Sequence, residues 1–159
     1  MSTRAGPVAN TLRVGVTLEG LRSPVSAARL AAAVRDVMRA EGVTAAMISL
    51  TLLSETAIAQ LNRRHLGHRG PTDVISFGFS PSPGAGVVGD IYICLDVARR
   101  NAKTAGCGVR EELLRLAVHG TLHVLGWNHP EGAEREQSPM WRRQERLLAG
   151  VRRRQARRA

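Results

Sequence analysis

The pattern of apolar and polar positions along the chain predicts four β-strands. The segment LRVGVTLE alternates apolar and polar residues, as expected of a strand with one buried face. Three further short and mainly apolar segments, AMISLTLL, DVISFGF and GDIYICL, have the length of strands. The stretch between the last two contains two prolines and two glycines, which favours a turn and makes these segments candidates for a hairpin. The predicted strands cover residues 12–19, 46–53, 73–79 and 89–95.

Capping residues and longer apolar segments predict five helices. Ser23 or Ser26 can cap the first helix, which runs to about residue 40 and ends at Gly42. Ser54 can cap the second helix and Asp96 the third. The predicted helices after the first cover residues 56–65, 96–105, 109–125 and 138–149. Because strands come early and helices late, we expect an α+β fold, with a small four-stranded mixed sheet covered by about five helices.

The helix predicted over residues 109–125 is apolar around most of its circumference, which is typical of a buried helix. It also carries His119 and His123, and polar side chains inside such a helix need partners. A bound metal ion would satisfy both of them. The apolar residues of this helix are Leu113, Leu114, Leu116, Ala117, Val118, Leu122, Val124 and Leu125.

The length of 159 residues predicts one domain over residues 11–150, between a flexible N-terminal lead at 1–10 and a solvated or disordered basic tail at 151–159. No apolar run approaches the roughly 20 residues needed to span a bilayer, and the first ten residues lack the hydrophobic stretch of a secretory signal. Cys94 and Cys107 have no Cys-x-x-Cys spacing and are interpreted as reduced thiols. We therefore expect a cytoplasmic protein that does not cross a membrane, and we leave the oligomeric state open.

The net charge of +10 favours an anionic partner. Of 23 basic residues only Lys103 is a lysine, and arginine guanidinium groups bind phosphate with paired hydrogen bonds. This composition supports binding to RNA or DNA. Surface arginines that serve only solubility would give the same composition, so that alternative stays open.

Three histidines in the run HGTLHVLGWNH have a spacing that suits a metal ion. His119 and His123 are four residues apart and lie on one face of the helix. Gly126 can end the helix in a left-handed conformation, so that the chain turns back and brings His129 to the same point. Three protein ligands with a fourth position left for water are typical of catalytic zinc. The sequence therefore predicts one Zn²⁺ ion held by His119, His123 and His129 at the end of a buried helix, with structural or surface histidines as the alternative.

The same spacing, His-x-x-x-His-x-x-Gly-x-x-His, also occurs in metzincin proteases. In those enzymes the residue after the first histidine is a glutamate that acts as general base. In this chain that residue is Gly120, which would let another backbone or a substrate approach the helix closely. If this chain were a peptidase, it would lack a proton acceptor at the position where metzincins have one. The general base of any hydrolytic reaction stays unassigned.

Three segments of the chain resemble the YbeY endoribonuclease family. HGTLHVLGWNH is similar to that family's HGxLHLxGYDH signature, LNRRHLGHRGPTDVISF to its LNxxYRGxDxPTDVLSF segment, and VGDIYI to its LGDIxI strand. With Glu112, Leu116, Met140 and Glu145, which fall where the family has similar residues, the likeness covers about residues 50–148.

The resemblance implies a metal-dependent endoribonuclease that is specific for single-stranded RNA. It implies a function at the ribosome, in quality control and in maturing the 3′ end of small-subunit ribosomal RNA. It also implies an α+β fold with a small, mostly parallel sheet covered by helices, and zinc held by His119, His123 and His129.

Two departures from the family pattern adjoin the third histidine. Trp127 replaces a tyrosine and keeps a flat, partly polar ring. Asn128 replaces an aspartate, so a carboxylate that could orient a ligand or transfer a proton is lost just before His129. Asn128 is nevertheless a candidate for orienting the metal ligands.

A third departure concerns contacts with RNA. Leu66 stands where the family often has an arginine that is thought to contact RNA, and a leucine cannot bind phosphate. Arg63, Arg64 or Arg69 could supply the missing charge from neighbouring positions, and they are our candidates for RNA binding. Solvated loop arginines are an equal alternative.

Asp73 and Glu112 are further candidates for orienting the ligands. Asp73 could orient a histidine or receive a proton, although we favour a role in shaping the start of its strand. Glu112 lies seven residues before His119, on the same helix face, and we favour its pairing with Arg115 or with the arginines of residues 63–69.

Taken with the resemblance, the sequence predicts a zinc-dependent endoribonuclease of single-stranded RNA. Two alternatives stay open. One is a ribosome-associated RNA-binding protein in which zinc only stabilises the fold, and the other is a metzincin-like metallopeptidase.

Overall fold

A single mixed sheet contains the four predicted strands. The computed structural model describes residues 10–79 and 86–158, so nearly all of the predicted N-terminal lead lies outside the described residues. The strands β1 (Leu12–Thr17), β2 (Ala46–Leu53), β3 (Val74–Phe79) and β4 (Val87–Cys94) lie in the order β1-β2-β4-β3. β1, β2 and β4 are parallel, and β3 is antiparallel to β4. Both the mixed sheet and the hairpin of the third and fourth strands are thereby confirmed.

Five α-helices and one short 3-10 helix occur in the described part of the chain. They are α1 (Ala27–Ala40), α2 (Glu55–Leu66), α3 (Leu95–Ala105), α4 (Val109–Val124), the 3-10 helix (Gly132–Gln137) and α5 (Pro139–Arg157). The predicted α+β class is confirmed by this arrangement. Among the described residues, no helix combines the length and the apolar character that crossing a bilayer requires.

The caps show how local chemistry sets these boundaries. Ser26 and Ser54 each accept a hydrogen bond of 3.2 Å from the backbone N–H three residues later, which confirms both as N-caps. The third predicted cap is wrong. Helix α3 begins at Leu95 with Cys94 as its N-cap, and Asp96 lies in its first turn. The chain passes from β4 directly into α3, so no loop is left in which Asp96 could act as a cap.

The predicted end of the last helix at about residue 149 is also wrong. Helix α5 continues to Arg157, and Val151 and Gln155 are buried. The Gln155 side chain donates to the Arg29 carbonyl at 2.9 Å, and Arg154 pairs with Asp36 at 2.8 Å. The arginines are solvated as expected, but the residues between them at helical spacing continue the buried face of α5.

Helix α4 lies at the centre of the molecule. It packs against α1, α3 and α5 and against the β3–β4 hairpin. Its apolar residues from Leu113 to Val124 are buried as predicted, whereas Leu125 lies beyond the helix and is half-buried. The main core lies between this group of helices and one face of the sheet. Helix α2 packs on the other face, around a smaller cluster of Ile58, Ile75 and Cys94. Cys94 and Cys107 are free thiols, in agreement with the sequence.

Three glycines allow α4 to pack unusually close to the β3–β4 hairpin. A Cβ atom at Gly78 would lie 2.5 Å from the Val124 carbonyl oxygen, and one at Gly89 would lie 2.6 Å from Val124 Cγ1. A Cβ atom at Gly120 would lie 2.7 Å from Ile91 Cγ2. These distances are far shorter than van der Waals contact. Gly120 therefore serves the packing of the helix on the sheet, and what approaches it is the sheet rather than a substrate.

We expect Gly78→Ala to lower the melting temperature by about 5–10 °C, because the new methyl group can be accommodated only by moving the backbone of α4. Gly15→Ala is the matched control, since Gly15 lies on the opposite edge strand with nothing within 4 Å of its added Cβ. Thermal unfolding followed by circular dichroism measures both. Equal melting temperatures for the two variants would contradict the close contact between α4 and β3.

Candidate metal centre

The end of helix α4 brings the three histidines together. His119 and His123 lie one turn apart on the helix, which ends at Val124. Gly126 has φ +96° and its N–H donates to the His123 carbonyl at 3.0 Å, which reverses the chain. The predicted helix end at this glycine is confirmed, and the turn places His129 opposite the two helical histidines.

One ring nitrogen from each of the three imidazoles lies within 4.8 Å of the other two. The Nε2 atoms of His123 and His129 are 3.2 Å apart, and the ring centroids are separated by 4.6, 5.1 and 5.0 Å. His119 is buried and the other two are half-buried. The three histidines are therefore positioned to hold one metal ion, as the spacing predicted.

Each imidazole has its Nδ1 atom engaged away from the point of convergence. His123 Nδ1 lies 2.8 Å from the Trp127 carbonyl oxygen, and His129 Nδ1 lies 2.9 Å from the Pro130 carbonyl oxygen. A carbonyl can only accept, so both Nδ1 atoms carry the proton. The Nε2 lone pairs of these two rings are consequently free to bind a cation.

His119 is oriented by a side chain from a different helix. Its Nδ1 lies 2.6 Å from Gln144 Oε1, and Gln144 Nε2 donates to Glu145 at 3.1 Å. Because the Glu145 carboxylate can only accept, the amide of Gln144 is held with its oxygen towards His119. His119 therefore donates from Nδ1 as well, which leaves its Nε2 as the nitrogen that can bind a cation.

The protein keeps two of these imidazoles, those of His119 and His123, uncharged. Burial lowers the pKa of His119 to about 3, and burial also lowers the pKa of His123. Both rings are therefore neutral at pH 7, which is the state that binds metal. Three imidazole nitrogen donors without a thiolate fit a borderline divalent cation such as zinc.

The side chains predicted to support the ligands have other partners. Asp73 accepts from the Val74 N–H at 2.8 Å and from Asn101 at 3.1 Å, which agrees with the favoured role at the start of its strand. Glu112 is paired with Arg115 at 3.1 Å, and burial raises the pKa of its carboxyl group.

Asn128 lies on the wall of the cavity at the histidines and donates to the Gly126 carbonyl at 3.4 Å. It thus contributes to the turn between His123 and His129. His123 contacts the backbone carbonyl of Trp127, so this contact does not depend on the Trp127 side chain.

The predicted RNA-binding arginines lie apart from the histidines. Arg63 and Arg69 line a separate groove beside Gly70, and the side chain of Arg64 is exposed on α2. Leu66 does face the metal centre, because it lines the cavity of the three histidines and is 48% exposed. Contact of Arg63, Arg64 and Arg69 with RNA stays a prediction.

Two cavities adjoin the centre. One of about 470 Å³ is bounded by all three histidines, Leu66 and Ser76, and one of about 320 Å³ lies behind His119, next to Arg115 and Gln144. Asp73, His119 and Arg135 line both cavities. Substrate could therefore reach the ring nitrogens from the larger cavity.

Sequence reasoning missed Gln144 and Arg135. Gln144 is only 1% exposed, and it falls at helical spacing with the buried residues Leu147, Leu148 and Val151. A buried amide on the apolar face of a helix needs a hydrogen-bond partner, and this requirement could have identified Gln144 from the sequence. Arg135 carries no such signal, because it lies in a polar segment among exposed residues.

Fold and site together define a class of protein: a small α+β domain with a three-histidine metal centre open to a cavity. The family model described as Endoribonuclease YbeY matches residues 19–152. The chain belongs to this family, as the sequence motifs indicated.

Relatives named Endoribonuclease YbeY cover most of the chain. The one from Frankia alni is 39% identical over 87% of this chain and 82% of its own length. The one from Nocardioides sp. is 39% identical over 81% of this chain and 91% of its own length. The solution structure of a protein from Thermotoga maritima has a TM-score of 0.58 at 24% identity and covers 87% of this chain and 88% of that chain, which shows that the fold is shared.

We expect Gln144→Ala to weaken metal binding by about 10- to 100-fold, because His119 loses the acceptor that fixes its orientation and its tautomer. Gln155→Ala is the matched control. Gln155 is a buried glutamine of the same helix, and it bonds the Arg29 carbonyl far from the histidines. Competition with a zinc-sensitive dye measures both affinities. A Gln144→Ala protein that binds zinc as tightly as the Gln155→Ala protein would show that Gln144 does not orient the ligand.

Proposed function

We propose that this chain is a zinc-dependent endoribonuclease that cuts single-stranded RNA in the cytoplasm, where it matures the 3′ end of small-subunit ribosomal RNA and acts in ribosome quality control. Membership of the YbeY endoribonuclease family supports the reaction class. The observation that carries the proposal is the convergence of three imidazole nitrogens, one from each ring, while the Nδ1 atoms are engaged elsewhere.

His119, His123 and His129 would hold the ion, through the Nε2 atoms that face one another. When bound, a zinc ion there would lower the pKa of a water molecule and attract the negative charge of a scissile phosphodiester. Gln144 and the carbonyls of Trp127 and Pro130 keep the rings in the tautomer that binds a cation. The general base stays unassigned, although Asp73 and Glu131 are carboxylates on the wall of the cavity.

The net charge of +10 supports an RNA substrate. Arginine side chains along the path of the strand would replace the counterions of the phosphates, so binding should weaken steeply as salt concentration rises.

A peptidase is the weaker hypothesis. The metzincin glutamate has no counterpart at Gly120, and the sheet fills the space in which its side chain would begin. Casein and an unstructured RNA, each incubated with and without a chelator, would separate the two reactions. Chelator-sensitive proteolysis without RNA cleavage would refute the proposal.

An RNA-binding protein with structural zinc is the other alternative, and the apolar core argues against it. Buried apolar residues surround helix α4 on several sides, and His123 and His129 lie at the margin of this core. A fold that is maintained by the core does not need the ion.

We expect His123→Ala to reduce cleavage of an unstructured RNA oligonucleotide by more than about 100-fold. Loss of a residue that only orients a metal ligand costs up to about 100-fold, and loss of the ligand itself should cost more. Its melting temperature in EDTA should stay within about 3 °C of that of the wild type, since both proteins are then metal-free. His65→Ala is the control, because His65 packs on Phe77 at 5.6 Å and does not line the cavity. If chelation alone unfolds the wild-type protein, the metal is structural.

A further inference from the structure

One arginine, Arg135, lies on the wall of both cavities beside His119. Arg135 belongs to the 3-10 helix and lines both cavities. Among the described residues it is the one arginine or lysine on the wall of the larger cavity, which holds His123 and His129. A negatively charged group that enters this cavity therefore finds its one basic side chain, apart from the histidines, at Arg135.

The other arginine of this region is already neutralised. Arg115 lies on the wall of the smaller cavity and pairs with Glu145 at 2.9 Å, with Glu112 at 3.1 Å and with Glu111 at 3.5 Å. These carboxylates raise the pKa of Arg115 and leave it little capacity for a further anion.

Arg135 has no such partner. Within the described residues, no carboxylate lies within 4.0 Å of its guanidinium group, and its Nε atom is buried without a hydrogen-bond partner. The only other buried side-chain polar atom in this condition among those residues is Ser76 Oγ, which belongs to the same cavity. Buried donors without partners cost free energy unless a ligand satisfies them.

The guanidinium group of Arg135 is also held in place. Its Cζ atom lies 5.9 Å from the ring centre of Trp141, which is a cation–π distance. The Arg135 carbonyl accepts from Ser138 Oγ at 2.6 Å and so ties the 3-10 helix to the start of α5. Such a preorganised cation loses less conformational freedom when it binds an anion than a free surface arginine does.

We propose that Arg135 binds a phosphate group of the RNA strand beside the metal centre. This inference rests on the proposed function, and it gives the site the phosphate contact that the candidates Arg63, Arg64 and Arg69 do not make within this cavity. A guanidinium group suits the role because it offers paired N–H donors to phosphate oxygens. The strand would then be held with its backbone facing the histidines.

A substitution at Leu66 can test whether the positive charge of Arg135 matters, independently of the position that supplies it. Leu66 lines the same cavity from α2, so Leu66→Arg would place a guanidinium group on another part of its wall. If the function of Arg135 is to bind phosphate, this second substitution should restore part of what Arg135→Gln removes.

The experiment compares the wild type with Arg135→Gln, Arg146→Gln and the double variant Arg135→Gln/Leu66→Arg. Arg146 is exposed on α5, away from both cavities, so its variant loses the same charge elsewhere. The zinc-loaded proteins are given a twelve-nucleotide unstructured RNA for cleavage. A single-stranded DNA of the same sequence, which carries the same phosphates and lacks the 2′-hydroxyl groups, is used to measure binding at several salt concentrations.

We expect Arg135→Gln to lower kcat/KM for the RNA by about 10- to 100-fold, the scale of a lost charge-assisted contact. It should weaken binding of the DNA and reduce the slope of log Kd against log salt by about 0.7, the value for one phosphate contact with a single strand. Zinc affinity should stay equal or rise, because the removed charge is positive. Arg146→Gln should stay within about twofold of the wild type in kcat/KM, and the double variant should recover at least threefold.

A variant Arg135→Gln with wild-type DNA affinity and salt slope would overturn the proposal. A loss of zinc affinity together with an unchanged salt slope would overturn it as well, because Arg135 would then only support the fold around the histidines. If the wild type does not cut RNA, the proposed function fails, and the DNA measurements still decide whether Arg135 binds phosphate.

Discussion

The close contact between helix α4 and the β3–β4 hairpin is the constraint on which the rest of the structure depends. Because Gly78, Gly89 and Gly120 carry no side chain, the helix lies directly on the sheet and its end at Val124 is fixed over the hairpin. The turn that follows can then bring the third histidine back to the first two. A displacement of the helix end by an ångström would matter, since two of the facing nitrogens are only 3.2 Å apart.

The chemistry of the site follows from that placement. Burial at the margin of the core keeps His119 neutral. The carbonyl oxygens of Trp127 and Pro130 can only accept a hydrogen bond, so they keep the protons of His123 and His129 on Nδ1. The protein thus presents three imidazole donors to one point, beside a cavity that all three residues line. Arg135 adds a positive charge on the wall of that cavity, which would counter the negative charge of a polynucleotide.

Sequence predicted the parts of this arrangement that depend on local spacing. The pair His119 and His123, the turn at Gly126, the hairpin and the family follow from residues close together in the chain. Gln144 could not be placed in this way, because its contact with His119 joins residues 25 apart on two helices. The continuation of α5 beyond residue 150 was missed because composition suggested a charged tail, whereas packing of Val151 and Gln155 on neighbouring helices decided the outcome.

The most direct test of the account is the metal content of the purified protein. Elemental analysis should find one zinc ion per wild-type chain and less than a tenth of that in His129→Ala, since His129 is the ligand that the turn at Gly126 brings into the site. Full zinc content in the His129→Ala protein, or a wild-type protein that binds no metal after dialysis against zinc, would contradict the three-histidine centre.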